Sequence, residues 1–222
     1  MSLAGLRVLV SAGPTYEDLD PVRFIGNRSS GKMGFAIAAA AARRGARTVL
    51  IAGPVHLKTP EGVERIDVRS AAQMHDAVLR ALPADIYVGA AAVADFTPEN
   101  IASSKIKKTA GQDALVLRLV RTPDILADVA RHARRPRLVV GFAAETDDVA
   151  HYARGKLEKK NIDMIAANRV GVAGSGFESD DNSLSVYWRE NAGAVGERAL
   201  GPAPKTTLAD ALMDLIEERL HA

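Results

Sequence analysis

The sequence predicts a Rossmann-like α/β fold: three layers, α/β/α, around a mainly parallel central sheet, with a mobile lysine-containing loop. Three observations predict it. Short apolar runs alternate with helical patterns along most of the chain, at the spacing of βα units. The run from Ile86 to Ala92 is apolar at every position, as befits a strand buried on both faces. The first run ends in Ala12-Gly13-Pro14, a turn at the carboxyl edge of the sheet, where α/β proteins place their ligands. At 222 residues the chain suits one domain, 1–222.

The elements follow in order. Arg7 to Ser11 reads as the first strand, and residues 33–44 form an Ala-rich helix stopped by Gly45, a residue suited to a left-handed cap. Thr48 to Ala52 and Val63 to Val68 read as strands, Ala71 to Ala81 as a helix, and Ile86 to Ala92 as the buried strand. From Phe96 to Gln112 a polar stretch with scattered lysines has no sustained period, so a mobile loop is expected between two strands. Leu115 to Val120 resumes a strand, Pro123 opens a helix, and Leu138 to Phe142 is another buried strand. Val149 to Lys160 is helical, with its basic end complementing the helix dipole, and Met164 to Ala167 is a short strand. Asn168 to Asn182 reads as an irregular excursion. Leu184 to Trp188 then pairs with Glu197 to Leu200, and a helix runs from Thr207 to Leu220 with Thr207 and Asp210 as a capping box.

Composition narrows the function. Lys plus Arg number 29 against 27 Asp plus Glu, a balance that gives nucleic-acid binding no support. There is no Cys, which removes disulfides, thiolate metal sites and Cys nucleophiles and points to a reducing cytoplasm. No apolar run reaches the roughly 20 residues that span a bilayer, so no membrane association is expected. The five histidines lack ligand spacing, and no Gly-x-Ser-x-Gly elbow occurs, so zinc and serine-hydrolase chemistry have no basis.

Two nucleotide motifs come close and fail. Gly26-Asn27-Arg28-Ser29-Ser30-Gly31-Lys32-Met33 approximates a P-loop, but Met33 stands where a Mg²⁺-binding Ser or Thr is required. The first strand is not followed by Gly-x-Gly-x-x-Gly, and the second ends in Ala52-Gly53 without the acidic residue that reads ribose. What remains is narrower: Ser29, Ser30, Gly31 and Gly34 offer small side chains and backbone amides at a helix start. That pattern fits a phosphate site and a plainly capped helix equally well.

Collinear motifs carry a resemblance. Ser11-Ala12-Gly13-Pro14-Thr15, Asp20-Pro21-Val22-Arg23 and Asn27 to Gly34 are similar to the bacterial phosphopantothenate-cysteine ligase family. In the same order follow Ala90 to Asp95, Lys105-Ile106-Lys107-Lys108, Pro123 to Leu126, Gly141 to Thr146, and Gly176-Phe177 with Ser179-Asp180 and Asn182. The resemblance spans nearly the whole chain. It implies a ligase that joins 4'-phosphopantothenate to L-cysteine with CTP and Mg²⁺, through an acyl-cytidylate. It further implies a homodimer with shared sites and, in longer proteins, a flavin-dependent decarboxylase ahead of this domain. No flavin is expected in this chain itself. An ATP-dependent version of the reaction, an NAD(P)-binding reductase and a noncatalytic nucleotide-binding module are the competing readings.

The same resemblance assigns residues. Asn27 handles the acyl-nucleotide intermediate, its amide donating to the acyl carbonyl and accepting from the cysteine amine. Lys105 meets the triphosphate or the charge developing at the acyl phosphate, whereas Lys107 and Lys108 read as solvated. Arg23 holds a phosphate or carboxylate, or else forms an ion pair with nearby Asp20. Gly89, Ala90 and Ala91 leave room for the nucleotide, which Asp95 meets through Mg²⁺ or a ribose hydroxyl. Pro123, Asp124, Ile125 and Leu126 lie along it, Phe142 covers the base, and Lys156 and Lys160 share one helix face toward the phosphates. Each has a plainer reading as well: Asp95 as a turn aspartate, Phe142 as core, and the lysine pair as a basic helix end.

Overall fold

The computed structural model describes residues 2–108, 113–145, 149–169, 181–190 and 194–221. The elements are β1 (Arg7–Ala12), β2 (Tyr16–Asp20), β3 (Arg23–Gly26), α1 (Lys32–Arg43), β4 (Arg47–Ala52), β5 (Val63–Asp67), α2 (Ala71–Arg80) and β6 (Ile86–Gly89). They continue with β7 (Phe96–Pro98), β8 (Leu119–Arg121), α3 (Ile125–Arg131), β9 (Leu138–Glu145), α4 (Val149–Lys159), β10 (Met164–Arg169), β11 (Asp181–Arg189), β12 (Val195–Pro204) and α5 (Lys205–Leu220).

One sheet of eight strands runs in the order β12-β11-β10-β9-β6-β1-β4-β5. From β5 to β10 every pairing is parallel, and β11 and β12 finish one edge antiparallel. Taken in chain order, the six parallel strands lie 3-2-1-4-5-6, the doubly wound arrangement, with its switch point between β1 and β6. The period-2 alternation of each strand divides the core. Val8, Val10 and Ala12 join Val88 and Val140 on the face covered by α1 and α5. Leu9, Tyr87, Val139 and Ile165 pack on the other face against Met74 and Val78 of α2, Val129 of α3 and Leu157 of α4. The expected three layers and mainly parallel sheet are therefore present.

Several local expectations change. The segment from Ile86 leaves the ladder after Gly89, and beyond it only Ala92 bridges, to Pro14. Leu115 to Val120 is not a sheet strand, because β9 takes the place beside β6. Only Leu119–Arg121 is extended and paired, with β7, in a two-stranded arm apart from the central sheet. The arm leaves Val116 88% and Phe96 48% exposed. The loop expected from Phe96 therefore begins as a strand, and its residues 109–112 lie outside the described set.

Helix starts differ too. Pro123 precedes the helix it was expected to open; Asp124 caps α3, accepting from Ala127 N at 3.1 Å. Thr207 and Asp210 form no capping box, because α5 begins at Lys205 behind Pro204 with no side-chain cap. Asp210 instead receives Arg43 at 2.9 Å and Arg44 at 2.7 Å, tying α5 to α1. A capping box does start α2, where Ser70 and Gln73 bond reciprocally. The excursion expected from Asn168 falls mostly in 170–180, and with Thr146, Gly176, Phe177, Ser179 and Asp180 it lies outside the described residues.

Candidate active site

The carboxyl ends of the parallel strands enclose a cavity of about 710 Å³ at the switch point, within the size range of small-molecule sites. Its first wall is the turn into α1. Gly31 caps that helix at φ 74°, in the left-handed region, and no side chain caps it. The helix lies so close on β1 that a methyl placed on Gly34 would stand 2.4 Å from Ala12 Cβ. Asn27 Oδ1 accepts Ser29 N at 2.9 Å and Ser29 Oγ accepts Gly31 N at 3.3 Å, a chained turn that commits the Asn27 oxygen and leaves its NH₂ to donate. Asn27, Ser29, Ser30 and Gly31 all line the cavity.

The second wall is the segment from Gly89 through Ala90 and Ala91 to Asp95. Backbone bonds pin it on one side: Ala92 N to Gly13 O at 2.9 Å and Thr15 N to Ala92 O at 3.3 Å. Side-chain hydroxyls add more, with Ala94 N donating to Thr15 Oγ1 at 3.0 Å and Thr122 Oγ1 to Ala94 O at 2.6 Å. Asp95 is exposed at the rim. Beneath, Ser11 and Tyr87 share a hydrogen bond of 3.0 Å. Burial pushes the Tyr87 phenol up to about 12, which keeps it neutral.

The third wall joins α3 and α4. Lys160 Nζ donates to Asp124 Oδ1 at 3.2 Å, and Lys156, one turn earlier, lines the cavity beside it. Pro123, Ile125, Leu126 and half-buried Phe142 complete this side. The structure thus gathers all of the expected binding residues into one lining except Arg23 and Lys105. Arg23 is in the ion pair with Asp20. Lys105 is exposed on the segment after β7.

The lining also includes residues that sequence reasoning missed, Arg121, Asn168 and Lys205, while Lys32 and Asn182 had a place in the resemblance but no role. Lys205 stands out in the structure rather than in the sequence, which places the start of its helix at Thr207. A cation on the first residue of a helix opposes the dipole, so a buried Lys there needs another reason to exist. With Lys32, Arg121, Lys156 and Lys160 it gives the cavity five cationic side chains, an arrangement that attracts anions rather than one that shuttles protons. Among the described residues no three His, Asp or Glu converge on a point that would hold a metal, and no helix is long and apolar enough to cross a membrane.

Fold and cavity together define a doubly wound α/β domain with a cation-lined cavity at its switch point. Its sequence matches the model of the DNA/pantothenate metabolism flavoprotein C-terminal domain over residues 3–220, and the chain belongs to that family. The coenzyme A biosynthesis bifunctional protein CoaBC of Vibrio cholerae is 52% identical over 219 residues, which are 98% of this chain and 54% of that protein. The chain therefore spans about half the length of the curated relatives it matches. A crystal structure of the C-terminal domain of CoaBC superposes with a TM-score of 0.80 at 37% identity, covering 98% of this chain and 97% of that one. The fold is shared by a Cab2 mutant in complex with phosphopantothenate-cysteine, with a TM-score of 0.77 at 16% identity over 97% of this chain and 86% of the other.

Proposed function

We propose that the chain is a phosphopantothenate-cysteine ligase that works through a cytidylate. The observation that carries this reading is the joint lining of one cavity by Asn27, the turn Ser29–Gly31 and the Lys156–Lys160 pair, in a chain of this family. A carboxylate oxygen of 4'-phosphopantothenate attacks the α-phosphorus of CTP, the bond to the β-phosphate oxygen breaks, and pyrophosphate leaves. The cysteine amine then attacks the acyl carbon, the bond to the phosphate oxygen breaks, CMP departs, and the amine loses a proton.

Both steps gather anions, so cations and fixed N–H donors stabilise them more than an acid-base pair would. Lys32, Lys156, Lys160 and Lys205 supply the charge, and the Asn27 NH₂ donates to the acyl carbonyl. Lys105 approaches from its exposed segment. Asp95 fits one carboxylate toward a Mg²⁺ carried by the triphosphate, which usually supplies much of that ion's shell itself. Phe142, in the lining, covers the base in this reading.

Two assembly readings accompany this one. A homodimer would cover exposed apolar residues of the β2–β3 hairpin, Val22 and Phe24, and of the β7–β8 arm and the segment leading into it, Phe96, Val116 and Leu119. A flavin-dependent decarboxylase domain would precede this one in a longer protein, and the location of both would be the cytoplasm.

The test supplies 4'-phosphopantothenate, cysteine and Mg²⁺ with CTP or ATP, and measures pyrophosphate, nucleoside monophosphate and the amide product. Turnover with CTP is expected, and without cysteine pyrophosphate should appear once per site as the acyl-nucleotide accumulates. Turnover with ATP alone overturns the cytidylate assignment. Amide formation with neither nucleotide present, or none under any condition, overturns the ligase reading.

A further inference from the structure

Asp20 closes β2 with its carboxylate fully buried. A carboxylate is costly to bury unless donors surround it, and this one is met from three directions. Oδ1 accepts Val22 N and Arg23 N, both at 2.9 Å, which form the turn between β2 and β3. Oδ2 accepts the Arg23 guanidinium, through Nε at 3.0 Å and also Nη2. The third donor is distant in sequence: Ile106 N, at 3.0 Å from Oδ2.

Arg23 completes the arrangement, since its Nη2 donates to Ile106 O at 2.8 Å. Both backbone polar groups of Ile106 are thus held by one ion pair. One further bond fastens the same segment, from Ala102 N to Leu19 O at 3.0 Å. Lys105 therefore stands between two tethers, Ala102 and Ile106, that both end on the last residues of β2. From Arg23 the chain runs through β3 directly to Asn27 at the cavity wall. The hydrogen bonds from Arg23, with those from Val22 and Ile106, hold the Asp20 carboxyl well below the usual carboxylate range.

We propose that Asp20, acting through Arg23, is a positioning residue for Lys105: the buried pair clasps the Ile106 peptide and so fixes the base of the lysine segment against the hairpin that leads to Asn27. This inference rests on the role given to Lys105 above. It assigns Asp20 no contact with substrate, and it gives the Asp20–Ile106 bond a purpose that the β2–β3 turn alone does not require.

The test measures steady-state ligation and amide hydrogen exchange in Asp20→Asn, Lys105→Gln and the double variant. Asp20→Asn should speed exchange at Ala102 and Ile106 and lower kcat by about tenfold, with KM for 4'-phosphopantothenate changed less than about threefold. In the Lys105→Gln background the same change should cost less than about twofold, because its effect passes through the missing ammonium. Should Asp20→Asn fail to fold, Ile106→Pro serves instead, since it removes the distant N–H and leaves the Asp20–Arg23 pair intact; the same loss of kcat is expected. A folded Asp20→Asn enzyme with wild-type kcat overturns the inference, and so does an equal loss with and without Lys105, which marks a merely structural role. Absence of turnover in the wild type overturns the ligase reading itself, a result distinct from either.

Discussion

Replacing Gly34 with Ala tests the close seating of α1 on β1. The new methyl would stand 2.4 Å from Ala12 Cβ and 3.2 Å from Ala12 Cα, whereas carbon atoms rest at about 3.5–4.0 Å. The helix start must move by roughly 1 Å or more to restore that spacing. Overpacking of this kind costs about 1–3 kcal/mol. Better helix propensity returns at most about 1 kcal/mol, so a net loss near 1 kcal/mol is expected. Urea unfolding reads it as a fall in midpoint of about 0.5 M for a slope near 2 kcal/mol/M. The displacement carries the turn from Asn27 to Gly31 with it, so CTP affinity measured by calorimetry should drop by about tenfold, or 1.4 kcal/mol. Ala12→Gly removes the atom in the way and should restore that affinity, at a further strand cost of about 0.5–1 kcal/mol. A Gly34→Ala protein that unfolds at the wild-type midpoint and binds as well refutes the reasoning, as does a double variant that binds no better.

Asn27→Asp replaces the donating NH₂ with a negative oxygen facing an anionic intermediate; quench-flow should show pyrophosphate released while amide formation slows by about a hundredfold, in the range seen for loss of one oxyanion donor. Lys160→Ala removes a cavity cation and the partner of Asp124; triphosphate binding should weaken by about tenfold, and Tm should barely move because an exposed pair contributes only ~0–1 kcal/mol. Tyr87→Phe leaves the buried Ser11 hydroxyl without its partner and should cost about 1 kcal/mol in urea unfolding. In the wild type, the raised Tyr87 value means stability is complete below the unfolded phenol's pKa of about 10 and falls as pH rises from there toward about 12. Acid acts with the opposite sign. Asp18, Asp20 and Asp210 are held below their usual range, so the stability they contribute is complete above about pH 4 and drains as pH falls further. Circular dichroism between pH 6 and 2 should be flat at first and then fall, and Asp20→Asn should make that fall shallower.

What was legible in the sequence depended on how local its cause was. The strands Val8-Leu9-Val10 and Ile86 to Gly89 declared themselves because burial on both faces demands unbroken apolarity. Gly45, at φ 85°, ended its helix as expected. Thr207 and Asp210 matched a local cap pattern, yet the carboxylate went to Arg43 and Arg44, more than 160 residues away in sequence, where no short motif points. Leu115 to Val120 had strand composition, but β9 takes the place beside β6 and only the end of the segment pairs, with β7, a matter of topology alone. At the site, the small residues Gly89 to Ala91 and the turn at Ser29 to Gly31 were readable because backbone approach selects them. Arg121, Asn168 and Lys205 were not, since each reaches the cavity from a different element and belongs to no run. Arg23 shows the limit most clearly: its pairing with Asp20 was written in the local sequence, but the bond that gives the pair a destination ends at Ile106.

The cavity is bounded by Ser11 near one end of the chain and Lys205 near the other, with contributions from most elements between. The lining of the cavity is therefore complete only once the start of α5 has emerged from the ribosome. Cutting the gene anywhere within that span divides the lining between two fragments, and recovered binding on mixing them would report that the sheet had reassembled.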